Sequence, residues 1–91
     1  MLKGKIFTLK KAVEIFIQRI NEIQEIDYGD FMRRANNYLM DLQDHIAETT
    51  DVEAQRLLAD MKLHLQYYPN WNVELTKDYI LKEAKLVDMH I

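Results

Sequence analysis

Residues 50–68, TDVEAQRLLADMKLHLQYY, carry two apolar stripes where a surface helix needs one. At about 100° per residue, Ala54, Leu57, Leu58, Met61, Leu65 and Tyr68 gather on one face, while Val52, Ala59, Leu63 and Tyr67 gather on the opposite one. A helix of that kind has to be covered from both sides. Either it lies in the middle of its own bundle, or a second chain covers one stripe.

Pro69 stops this helix, because it offers no backbone N–H and disfavours helical geometry at Tyr68. Asn70 or Asn72 then caps a last helix over about 73–89. That helix is two-faced as well, with Val73, Ile80, Ala84, Val87 and Ile91 on one side and Leu75, Tyr79, Leu86 and Met89 on the other. On the N-terminal side, Thr50 and Glu53 have the spacing of a capping box, in which the hydroxyl bonds forward and the carboxylate reaches back. The spacing therefore predicts a helix over about 51–68. The break at Thr49, Thr50 and Asp51 is short, so the preceding helix folds back as an antiparallel neighbour.

That preceding helix, predicted over about 31–48, has one stripe: Phe31, Met32, Ala35, Tyr38, Leu39, Leu42 and Ile46. Its other face bears Arg33, Asn37, Asp41, Asp44 and Glu48, so it reads as an outer wall. Asp30 is the expected cap, and Gly29 in DYGD supplies the left-handed residue that closes the helix before it. The first helix is predicted over about 9–27 with Thr8 as its cap. Leu9, Ala12, Val13, Phe16, Ile17, Ile20 and Ile23 form its face, widened by Ile15 and Ile26. Residues 1–7 read as an extended or frayed segment. The fold class is all-α, a small antiparallel bundle of four helices in a single domain; a three-helix core that exchanges its last helix between subunits is the alternative.

Composition narrows the function. The 91 residues include no cysteine and no serine, so disulfide and thiolate chemistry are excluded. Of the threonines Thr8, Thr49, Thr50 and Thr76, two serve better as caps than as nucleophiles. With Gly4 and Gly29 as the only glycines, the chain has no phosphate-cradling loop. Carboxylates such as Glu22 and Glu25 fall on the polar side of an amphipathic helix, where general acid work at neutral pH is not expected. An enzyme is not expected, and neither is a cofactor. No apolar run approaches the roughly 20 residues that cross a bilayer, and Glu14 and Gln18 interrupt any signal-peptide core. A soluble cytoplasmic protein is the expectation.

The net charge of −3 is unevenly distributed: residues 1–19 hold Lys3, Lys5, Lys10, Lys11 and Arg19 against Glu14 alone, and the rest of the chain is acidic. An acidic body disfavours binding of nucleic acid, which requires neutralised phosphates. The basic segment, Lys3, Lys5, Lys10 and Lys11 with Arg19, is the one candidate for an anionic ligand, although a solvated helix end explains the same lysines. Asp41, Asp44, His45 and Glu48 with Asp60 and His64 resemble a metal-ligand set. In an antiparallel hairpin, however, His45 and His64 fall about 13 Å apart along the axis. Only Asp41, His45 and Asp60 come level, as a lesser metal alternative.

The aromatic run Tyr67, Tyr68, Pro69, Asn70, Trp71 is the best candidate for recognition, since Tyr and Trp dominate contact energetics at interfaces. Trp71 can equally fold back as a lid over the core. The expected function is a non-enzymatic protein–protein interaction module, a self-associating helical adaptor, inhibitor or immunity-type regulator. The residues expected to make its contacts, as a homodimer or with another protein, are Val52, Leu63, Tyr67, Trp71, Leu75, Tyr79 and Leu86.

Overall fold

The computed structural model describes residues 8–24, 27–45, 49–66 and 72–91. They form four helices: α1 (Leu9–Glu22), α2 (Tyr28–Gln43), α3 (Val52–Gln66) and α4 (Val73–His90). The expected all-α bundle is what the chain builds. Each helix packs against its two neighbours in the order α1, α2, α3, α4 and back to α1, so the four close a ring around one core.

Side-chain contacts give the directions. Lys10, at the start of α1, donates to the Asp88 carbonyl near the end of α4 at 2.9 Å and pairs with the Asp88 carboxylate at 3.1 Å. At the other end, Lys77 of α4 donates to the carbonyls of Asn21 (3.2 Å) and Ile23 (2.9 Å). These helices are therefore antiparallel. α3 and α4 are too, because Asp51 meets His90 at 3.8 Å while His64, near the far end of α3, stacks on Tyr79 at 4.0 Å between ring centres. Between α1 and α2, Ala12 shares a wall with His45 and Arg19 lies over Tyr38, again a reversal of direction. An up-down-up-down bundle results.

One stripe from each helix fills the interior. α1 contributes Leu9, Ala12, Val13, Phe16 and Ile20, and α2 contributes Phe31, Ala35, Leu39 and Leu42. α3 adds Ala54, Leu57, Leu58, Met61 and Leu65, and α4 adds Ile80, Ala84 and Val87 together with Thr76. Each set recurs at three- and four-residue spacing, the period at which side chains share a helix face.

The helix ends differ from expectation in ways that have local causes. Thr8 caps α1 as expected, accepting from the Lys11 N–H at 3.3 Å, and Asn72 caps α4, accepting from Leu75 at 2.9 Å. α1 ends at Glu22 rather than near residue 27, for Ile23 is extended and buried and Lys77 draws off the last carbonyls. Asp27 instead caps α2, accepting from the Asp30 N–H at 3.0 Å, so α2 begins at Tyr28 and Gly29 lies inside its first turn. A Cβ at Gly29 would come within 3.3 Å of the Asp27 carboxylate; glycine there makes room for the cap rather than closing the helix before it. α2 runs to Gln43, with a turn at Asp44 and His45, and residues 46–48 lie outside the described ones.

The Thr50–Glu53 capping box does not form. Asp51 caps α3 by accepting from Ala54 at 2.9 Å, and its own N–H donates to the Thr49 hydroxyl at 3.1 Å. Glu53 is drawn the other way by the Arg56 guanidinium, which also holds Asp60 at 2.8 Å. A charged acceptor one residue on outcompetes the threonine hydroxyl, because hydrogen bonds to ionised groups are the stronger ones. α4 extends to His90, one residue past the expected end.

Candidate functional site

The second stripe of α3 faces away from the core. Val52 is 75% exposed and Leu63 43%, and Ala59 between them is exposed as well. On α4, Leu75 is 60% exposed and Met89 79%, whereas Leu86 is half-buried against the core. Apart from Met40 on α2, these are the large apolar residues left exposed among the described ones.

Tyr79, like Leu86, departs from Leu75 and Met89 on its flank. Its ring packs on the core and stacks on His64, and its hydroxyl donates to Glu83 at 3.3 Å, so its apolar surface is taken up within the chain. Burial first, and the neighbouring Glu83 carboxylate second, push its phenol up to about 12. Between the exposed residues of α3 and those of α4 runs a charged seam. Arg56 bonds Glu53 and Asp60 and feels Glu83 across the helix junction. The Arg56 hydrogen bonds hold the Glu53 carboxyl below its ordinary range. The outer face is therefore apolar at its two flanks with an ion-pair network between them. Tyr67 and Trp71 lie outside the described residues, as does the rest of the aromatic run.

Of the basic residues, Lys10, Lys11 and Arg19 each pair with a carboxylate. Lys10 is tied to Asp88, and Lys11 pairs with Glu14 at 3.6 Å within its own helix. Lys3 and Lys5 lie outside the described residues. Asp41, His45 and Asp60 are not brought together either. Asp41 is held by Arg19 at 3.2 Å and Asp60 by Arg56. Among the described residues no group of three or more His, Asp or Glu is placed to hold a metal ion, and no helix is long and apolar enough to cross a membrane.

One feature of the surface is not legible in the chain. Between α1 and α2 lies a hollow of about 210 Å³, walled by Ala12, Ile15, Phe16 and Leu42 and rimmed by Arg19, Tyr38, Asp41 and His45. It exists because Ala12 puts no more than a methyl group where α1 meets the last turn of α2. The only signal in the sequence is that small residue within an otherwise bulky stripe, and it becomes a hollow only once the register of the two helices is known.

No family model, no curated protein and no solved structure matches the chain.

Proposed function

We propose that the protein is a non-enzymatic protein–protein interaction module that associates with itself through the outer faces of α3 and α4, in the manner of a small helical adaptor, inhibitor or immunity-type regulator. The observation that carries this reading is the exposure of Val52, Leu63, Leu75 and Met89 on the two helices whose opposite stripes already fill the core. In a ring of four, each helix touches the core and two neighbours, and its remaining side meets solvent. Among the described residues nothing covers that side, and apolar residues repeated there at helical spacing gain burial from contact with another molecule. The charged seam of Glu53, Arg56, Asp60 and Glu83 supplies direction, since charges flanking an apolar contact fix its orientation more than its strength.

Sedimentation velocity across a concentration series tests the proposal. The chain is expected to dimerise at tens of micromolar, and Leu63→Glu, which places a carboxylate in the contact, is expected to return it to a monomer with its helical content unchanged. A chain that is strictly monomeric there, with Leu63→Glu sedimenting identically, overturns self-association.

A further inference from the structure

We propose that the hollow between α1 and α2 is a binding site for a small zwitterion with an apolar side chain, the chemical class of the free hydrophobic amino acids. Its volume of about 210 Å³ exceeds the roughly 150 Å³ at which an apolar cavity takes up benzene. The space therefore suits a branched or aromatic side chain and is too small for a nucleotide. Phe16 and Leu42, each 2% exposed, and Ala12 line the apolar wall.

Arg19 and Asp41 place a guanidinium and a carboxylate on the rim, beside Tyr38 and His45. The Arg19 guanidinium lies 5.2 Å from the centre of the Tyr38 ring, and its Nη1 donates to Asp41 Oδ2 at 3.2 Å, so two contacts orient it. A guanidinium has five N–H donors and a carboxylate two oxygens, and this single bond engages one of each. A ligand carboxylate can accept from the remaining donors of Arg19 while its ammonium donates to the other oxygen of Asp41, with the bridge left in place. A simple anion meets the repulsion of Asp41, and a simple cation that of Arg19; a dipolar ion is attracted by both. Because Arg19 and Asp41 are 45% and 71% exposed, water screens each contact, and the expected affinity is weak, with Kd about 1 mM. The site shares no residue with the outer faces of α3 and α4 and stands independently of self-association.

Titration of L-phenylalanine and L-leucine into isotope-labelled protein, followed by amide chemical shifts, tests the proposal. Saturable shifts are expected in residues 12–19 and 38–45. 3-Phenylpropionate and phenethylamine, which each lack one of the two charges, are expected to bind about fivefold more weakly or worse, as is L-phenylalanine to Arg19→Gln. Ala12→Leu, which fills the hollow, should abolish the shifts. Should Ala12→Leu fail to fold, the two analogues and Arg19→Gln still decide. Shifts that do not saturate, shifts confined to α3 and α4, or analogues that bind as well as the amino acids overturn the assignment.

Discussion

Phe16 on α1 and Leu63 on α3 are both large apolar residues set inside a helix, yet Phe16 is 2% exposed and Leu63 43%. α1 turns the centre of its broad apolar face inward, with Ile15 and Ile17 half-buried at its edges and Lys10, Lys11, Glu14, Gln18 and Arg19 outside. α3 has two narrow faces and can bury only one. In a four-membered ring a helix has a single inner side, and a stripe on the opposite side lies beyond the reach of the other three helices. The difference separates apolar residues that make the fold from apolar residues that remain available once the fold is made.

Mutation of one residue on each face would break or confirm that contrast. Phe16→Ala is expected to cost about 3–5 kcal/mol in urea unfolding, the usual loss for emptying a buried aromatic site. Leu63→Ala, measured at a dilution where the chain is monomeric, should cost less than about 0.5 kcal/mol. Equal losses would mean that the outer stripe is part of the core.

The helix ends differ in the same way, some held by a neighbour and some by their own residues. The closure of α1 depends on α4, through the hydrogen bonds from Lys77 to Asn21 and Ile23, whereas the start of α3 depends on its own Asp51. Lys77→Met should therefore destabilise the bundle by about 1–2 kcal/mol, because carbonyls that accept from a charged donor lose it. Asp51→Ala should cost about 1 kcal/mol, while Thr50→Ala stays within a few tenths; hydrogen exchange of the first amides of α3 would show the loss locally. If the order of the two alanine variants is reversed, the capping box exists after all.

The smallest effect is electrostatic and belongs to the α3–α4 junction. Folding holds the Tyr79 phenolic proton more tightly, with its titration pushed up to about 12 by burial and by Glu83, than an unfolded chain does near about 10. The resulting stability is present below about pH 10 and is lost as pH rises through 10 towards 12. Phenolate absorbance should show a late ionisation between about pH 10 and 12, and Tyr79→Phe should remove that late step and its share of the alkaline destabilisation.

Much of the architecture was legible because it follows from periodicity. Most of the inner stripes can be named from the sequence, since a repeat of three and four positions marks a face whatever that face later meets; Thr76, buried in α4 at 4% exposure, escapes because a hydroxyl residue does not count as apolar. Helix ends were less legible. Asp27 rather than Asp30, and Asp51 rather than Thr50, hold the caps, because neighbouring acceptors compete for the same amides and the choice depends on nearby charges such as Arg56. Tyr79 was placed on an outer flank by its helical angle, but its ring is long enough to turn back onto His64 and the core. The hollow beside Ala12 was invisible, for it belongs to two helices at once.

Four amphipathic helices, and a C-terminal half with apolar residues on two sides, follow from local spacing, which alone sets which side chains share a face. The tertiary structure decided which stripe turned inward, where Lys77 and Asp27 end and begin the helices, and that Arg19 and Asp41 meet above an apolar hollow. Those outcomes depend on register between helices, which is set by how bulky and small side chains interlock across the core and is not encoded at any single position.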